Sequence, residues 1–427
     1  MKKIEIIPSE IRETVVDVPG SKSYSNRALI IGSLTKGKTI LKNFLFSEDT
    51  NYLIDALKKF NVEIEKKKGL VIIRSDPEKL RWPLEELYLG GSGTGIRLLT
   101  SFSALVSGKG VLSGNKRLNQ RPIQELLNGL TELGVKAESL NNTNPPVRII
   151  GDTLTGGECS LKGNISSQFF TSIMLAAPYA KEDVVINVAG ELASRPYIDI
   201  TIDIMKSFGV SVKNYNYEKF KIKAGQRYEP GEYVIEGDYS SASYFFGLAA
   251  INDSKITVKN LRSDSVQGDM GFVDVLEKMG CFVSKKKDKV AIKGTARLKP
   301  VKADMNTMPD AVLSLAAAAA FAKGKTIIEN IGNLRIKESD RIFSVSNELK
   351  KLNIKIEEYK DKLVIYGGDP TGNAQIDTYN DHRIAMAFAI VGTKIPGIVI
   401  ENPGCVSKSF PEFWEKLKET GVNIKNV

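Results

Sequence analysis

A helix-closing pattern recurs six times along the 427 residues and limits the chain to a repeat architecture. Each copy is an amphipathic run ending in Gly or Asn followed by a β-branched residue or Cys: DALKKFNV, ELLNGLTELGV, DIMKSFGV, VLEKMGC, NELKKLNI and WEKLKETGV. The closing residues Val62, Val135, Val210, Cys281, Ile354 and Val422 are spaced by 73, 75, 71, 73 and 68 positions. After five of these helices, alternating apolar and polar runs flank a polar turn, as in VEIEKKKGLVIIRS, CFVSKKKDKVAIKG and IKIEEYKDKLVIYGG, which predicts β-hairpins. The sixth copy stops at VNIKNV without a return strand, and KIEII at residues 3 to 7 is the expected substitute. A strand and a first helix open each unit, the helices being SYSNRALIIGSL, GIRLLTSFSALV, SQFFTSIMLAA, SASYFFGLAA, PDAVLSLAAAAAFA and HRIAMAFAIVG. These are apolar around most of their circumference and belong inside, with the more amphipathic second helices outside. The unit reads βαβαββ and the fold class α/β. Six units divide most simply three and three near Glu236-Gly237, giving one lobe over 19–236 and another over 1–18 plus 237–427 closed by the N-terminal strand. The pattern alone is compatible with other divisions.

The residues hardest to explain as fold lie at the starts of the first helices: Gly20-Ser21-Lys22-Ser23, Gly91-Ser92-Gly93-Thr94, Asn164-Ile165-Ser166-Ser167-Gln168, Tyr239-Ser240-Ser241, Met308-Pro309-Asp310 and Asn380-Asp381-His382-Arg383. Ser, Asp and Asn there serve as ordinary N-caps. Capping does not explain the cations Lys22, Arg27, Arg121, Lys337, Arg341, Arg383 and Lys408, which fall within or beside these segments. Helix N-termini already carry partial positive charge and unpaired N–H groups, so cations collected there call for an anion. Two phosphates and two carboxylates, about −5 to −6 in charge, would match them.

Composition narrows the field further. A length of 427 residues calls for two or more lobes, and 42% hydrophobic residues can build their cores. Cys159, Cys281 and Cys405 are too scattered for a local metal site and suit a reducing compartment, and with His382 alone a protein-bound zinc is disfavoured. His382 itself reads equally as a structural histidine. The start MKKIEIIPSE has no apolar core of a signal peptide, and no long apolar run spans a bilayer, so the expectation is a cytoplasmic protein without membrane contact. A net charge of +10 admits nucleic acid, membrane surface or an acidic small molecule. Gly32 to Thr39 matches a phosphate-binding loop in letters, but it leaves a helix and enters a strand, the reverse of that loop's context. The same AKGKTII recurs at 322 to 328, so both are helix ends marked by Gly.

PGSKSYSNR, LGGSGTGIR, QRPI, SSQFF, SRPYI, MPDA, GNLRIKESDR, NDHRIAMA and CVSKSFP stand in this order from residue 20 to 411, and together they resemble the 5-enolpyruvylshikimate-3-phosphate synthases. The resemblance implies six βαβαββ repeats in two pseudo-three-fold lobes, an inside-out α/β barrel of the enolpyruvyl transferase type, joined by two crossovers with the active-site cleft between lobes. It implies transfer of the enolpyruvyl group of phosphoenolpyruvate to shikimate 3-phosphate by addition and elimination, with no metal or other cofactor, in a monomer inhibited by glyphosate in competition with phosphoenolpyruvate. By motif, Lys22, Ser23, Arg27, Ser166, Ser167, Gln168 and Ser194 would hold shikimate 3-phosphate, with Asp310, Asn333 and Lys337 from the other lobe. Lys22, Gly93, Arg121, Gln168, Arg341, Arg383 and Lys408 would hold phosphoenolpyruvate. Gly91 stands where the family commonly has Asn, and Ser92 and Gly95 where it often has Ala, which leaves Gly93-Thr94 intact.

Attack of the 5-hydroxyl on C2 of phosphoenolpyruvate needs a base, and protonation of C3 needs an acid. Asp310, Glu338 and Lys22 form the available catalytic set: Asp310 as base, Glu338 or Lys22 for the C3 proton. Arg matches a carboxylate or phosphate bidentately, whereas Lys acts as a point charge. The related UDP-N-acetylglucosamine enolpyruvyl transferases usually carry a reactive Cys before the Arg121-Pro122 position, and SGNKRLNQR has none. A nucleic-acid binder would interleave aromatics with its basic residues, but Ser, Asp and Glu accompany them here.

Overall fold

The computed structural model describes residues 2–152 and 154–427 and divides into two compact units. The central unit is Gly20–Ile235; the terminal unit joins the N-terminal residues up to Pro19 with Glu236–Val427. Each has its own hydrophobic core.

In the central unit, the helices Lys22–Leu34, Gly93–Ala104 and Ser167–Ala176 pack against one another in the interior. In the terminal unit, Tyr239–Ile251, Val312–Ala319 and His382–Gly392 do the same. Tyr239–Ile251 and His382–Gly392 are buried along their whole length, which matches their uniformly apolar sequences. Small residues let these helices approach closely, and each unit has a hydroxyl pair at the contact: Ser101–Ser172 at 2.6 Å and Ser243–Ser314 at 2.8 Å. The outer helices bury one face only, as in Glu48–Lys59, where Leu53, Ile54 and Leu57 turn inward and Ser47 with Thr50 forms a capping box.

The recurring Gly or Asn is the residue after each outer helix that adopts a left-handed conformation. Asn61, Gly134, Gly209, Gly280, Asn353 and Gly421 have φ between 58° and 103°. The next residue's N–H reaches back five residues, as from Val62 to Leu57 O and Val135 to Leu130 O, which is the Schellman closure. The repeat is therefore a helix stop before a strand.

Six four-stranded sheets share one order: an opening strand parallel to the second, then two antiparallel strands. In the last sheet, Lys3–Ile7 pairs antiparallel with both Ile398–Glu401 and Asn423–Asn426, occupying the return-strand position. The opening strands of the first and fourth repeats depart from the simple βαβαββ reading. Thr14–Asp17 precedes the helix Lys22–Leu34 in the chain but pairs with Lys255–Lys259, and Glu232–Val234 precedes Tyr239–Ile251 but pairs with Gly37–Lys42. Both passages between units thus fall between a strand and its following helix. The loop matching a phosphate-binding pattern runs from Lys22–Leu34 into the strand Gly37–Lys42, and Gly37 has φ 131°, close to the 129° of Gly324 in the later copy. Among the described residues, no helix is long and apolar enough to cross a membrane.

Candidate active site

Each unit gathers its unusual side chains at the N-terminal ends of its inner helices. In the central unit, Lys22 opens its helix and pairs with the buried carboxylate of Asp49 at 3.3 Å. Ser92 caps the second inner helix by accepting from Gly95 N, and its hydroxyl donates to the Asp49 carbonyl at 3.3 Å, so the two helix starts adjoin. Ser166 caps the third by accepting from Gln168 N, with Ser167 buried beside it.

Gln168 is oriented from both ends of its amide: Nε2 donates to Thr94 Oγ1 at 3.0 Å and Oε1 accepts from Arg97 Nη1 at 2.7 Å. Arg97 also donates to the Pro122 carbonyl at 2.9 Å and lies 5.0 Å from the centre of the Phe169 ring. It ties Gln168 to the segment that carries Arg121. Gly93 meets Arg121 directly, since a Cβ there would stand 2.5 Å from Arg121 Cζ. The missing side chain is thus filled by a guanidinium.

Arg27 differs from the other cations. It is fully buried, with hydrogen bonds from its guanidinium to the Ser23 carbonyl, Thr171, the Tyr197 carbonyl and Thr201. Burial pulls it down to about 10. It locks the Lys22-Ser23 turn to neighbouring helices. Ser194 is buried with φ 58°, a left-handed conformation uncommon for a residue with a side chain, and its carbonyl accepts from Tyr197 N at 3.1 Å.

The terminal unit is organised by Arg341, which caps no anion of its own but holds three carboxylates. Its Nη1 donates to Asp310 Oδ1 at 2.9 Å, Nη2 to Glu338 Oε2 at 2.8 Å, and Nε to Asp381 Oδ2 at 2.8 Å. Burial pulls Arg341 down, but Asp381, Glu338 and Asp310 outweigh it and hold the guanidinium well above its ordinary value. Arg383 grips the other oxygen of Asp310 at 2.8 Å and donates to the Tyr244 hydroxyl at 3.2 Å. Asp381 caps its own helix by accepting from Arg383 N at 3.0 Å, and Ser339 donates to it at 3.0 Å. His382 is buried at the start of that helix. Asn333 lies on the turn Gly332–Ile336, Lys337 follows it, and Lys408 ends the turn Pro403–Lys408; all three are partly buried.

Sequence reasoning missed Asp49, Arg97, Tyr244 and Asp269, and had Asp381 only as part of the helix start Asn380 to Arg383. Arg97 had one signal, a lone cation within the apolar GIRLLTSFSALV. Cations collected at helix ends suit an anionic ligand, and Arg341 fixes three carboxylates, of which Asp310 and Glu338 keep some exposure.

Comparison with known proteins gives the family. Residues 7–417 match the EPSP synthase (3-phosphoshikimate 1-carboxyvinyltransferase) family. The 3-phosphoshikimate 1-carboxyvinyltransferase of Sulfurovum sp. (strain NBC37-1) is 44% identical over 424 residues, 98% of this chain and 99% of that protein. Its counterpart from Vibrio vulnificus (strain YJ016) is 42% identical over 426 residues, 98% of each. Among solved structures, an EPSP synthase from Acinetobacter baumannii aligns with a TM-score of 0.85 at 27% identity, covering 100% of both chains.

Proposed function

Because the chain belongs to the EPSP synthase (3-phosphoshikimate 1-carboxyvinyltransferase) family, we propose that the helix starts of both units act on one pair of substrates. The reaction moves the enolpyruvyl group of phosphoenolpyruvate to the 5-hydroxyl of shikimate 3-phosphate and releases phosphate. C3 of phosphoenolpyruvate takes a proton, the 5-oxygen bonds to C2, and the hydroxyl proton passes to a base. The tetrahedral adduct then loses a proton from its new methyl group as the C2–O bond to phosphate breaks, leaving the enol ether.

Asp310 takes the hydroxyl proton, and Glu338 or Lys22 delivers the proton to C3. Arg121, Arg341, Arg383 and Lys408, with Lys22, Gly93 and Gln168, hold phosphoenolpyruvate. Ser23, Ser166, Ser167, Gln168 and Ser194 hold shikimate 3-phosphate together with Lys22, Asp310, Asn333 and Lys337, while Arg27 fixes the Lys22-Ser23 turn. The observation that carries this reading is the grip on Asp310: each oxygen accepts from a different buried guanidinium, and Glu338 is held on the first of these. Two carboxylates that can exchange protons are thereby fixed beside the cations an anionic substrate needs. The sparse cysteines suit a reducing compartment, so the enzyme works in the cytoplasm. In this proposal it acts as a monomer on small molecules.

The test is phosphate release by the purified protein. It requires shikimate 3-phosphate and phosphoenolpyruvate together and stops when either is omitted. Release from phosphoenolpyruvate alone at the same rate refutes the transfer.

A further inference from the structure

A second buried carboxylate borders Asp310 and has no part in the roles assigned above. Asp269 lies on the turn Gly268–Gly271 and is 6% exposed. That turn packs against Pro309–Ala311, which carries Asp310, and a Cβ on Gly271 would meet Met308 Cε at 3.2 Å. Asp269 Oδ2 accepts from the Ser240 hydroxyl, while Oδ1 has no hydrogen-bond partner among the described residues. The charged groups facing it are Asp310, Arg383 from the helix His382–Gly392, and Asp238, which caps Tyr239–Ile251. Burial, then the charge of Asp310, pushes Asp269 up to about 7, against the opposing pull of Arg383 and the Ser240 hydrogen bond.

Asp310 faces a difficulty that Asp269 relieves. Two guanidiniums on one carboxylate favour its charged form and weaken it as a base. A negative charge nearby acts the other way, and Asp269 is placed to supply it when ionised.

We propose that Asp269 is a positioning residue for the reaction, whose buried carboxylate offsets Arg383 and so sets how readily Asp310 accepts the hydroxyl proton. This rests on the assignment of Asp310 as base. Asp269 touches no substrate; it acts through Arg383 and Asp310.

Its ionisation also couples to folding. With the folded value raised from 3.8 to about 7, the stability Asp269 contributes is full below 3.8 and is lost as the pH rises through about 7. Asp269→Asn removes this dependence and keeps the size and the bond from Ser240.

The experiment compares kcat against pH for the wild type, Asp269→Asn and Asp310→Asn, at saturating shikimate 3-phosphate. For Asp269→Asn, kcat above about pH 7, where the wild-type Asp269 is ionised, falls about 3- to 10-fold, kcat below about pH 6 matches the wild type, and KM for phosphoenolpyruvate stays within about twofold. A profile that superimposes on the wild type, or a higher KM at unchanged kcat, overturns the proposal. An Asp310→Asn variant of normal kcat overturns the base assignment instead, and a wild type inactive with both substrates overturns the function itself. Should Asp269→Asn fail to fold, Ser240→Ala removes the bond that favours the ionised form, so the gain in kcat that Asp269 brings sets in at a higher pH than in the wild type. No shift there also overturns it.

Discussion

Replacing Gly93 by Ala tests how the phosphoenolpyruvate side of the site is built. Gly93 is the first residue of the helix Gly93–Ala104, and its neighbour above the α-carbon is the guanidinium of Arg121. The new methyl would stand 2.5 Å from Arg121 Cζ and 2.9 Å from Nη2. Carbon atoms settle at about 3.5 Å and Nη1 lies nearer still than Cζ, so the guanidinium must move by more than about 1 Å. The contact is with the end of a flexible side chain, so the fold yields easily, and Ala favours a helix over Gly by up to about 1 kcal/mol. The thermal midpoint is therefore unchanged or slightly raised. The cost falls on the ligand: a charge-assisted bond is worth about 1.5 to 3 kcal/mol, which corresponds to a rise of about 10- to 150-fold in KM for phosphoenolpyruvate. Glyphosate is longer and follows a displaced guanidinium less well, so its inhibition constant rises by more than KM. Steady-state kinetics over both substrates, with and without glyphosate, reads all three quantities. An unchanged KM in a folded Gly93→Ala protein refutes the placing of Arg121 on the substrate.

Asp310→Asn keeps shape and most hydrogen bonding but removes the base, so kcat falls roughly 10²- to 10⁴-fold with little change in KM for shikimate 3-phosphate; near-normal turnover transfers the role to Glu338. Arg341→Met leaves the buried Asp381 and the partly buried Asp310 and Glu338 without their shared guanidinium. It lowers stability by about 3 to 5 kcal/mol and the melting temperature by roughly 10 °C, measured by calorimetry, and a midpoint within about 2 °C of the wild type contradicts the pivot role.

Much of the fold was legible because each repeat carries its own local stop signal, the left-handed Gly or Asn from Asn61 to Gly421. The uniformly apolar first helices declared themselves as interior for the same local reason. The exchange of Thr14–Asp17 and Glu232–Val234 was not legible. A strand shows its alternation in sequence, but a parallel partner far along the chain leaves no local mark. The cations at helix starts were visible as a pattern, yet their directions were not: Arg27 turns into the core while Arg341 gathers carboxylates from three segments. Asp269 and Arg97 look ordinary in sequence because an ionisable residue acquires its meaning from what surrounds it in space. The motif groups Gly93 with Arg121 as contacts of phosphoenolpyruvate, but only the structure shows that Arg121 lies directly against Gly93.

The chemistry of the transfer is tested most directly by running the reaction in heavy water and examining the enol ether by mass spectrometry. Addition creates a methyl group at C3 that holds a solvent hydron, and elimination removes one of its three hydrons. The account predicts deuterium in the methylene of the product, carried there by the acid that serves C3, and the same label per product at a much lower rate in Asp310→Asn. A product formed at full rate with no deuterium in its methylene contradicts it, because C2 would then have been substituted without C3 ever being protonated.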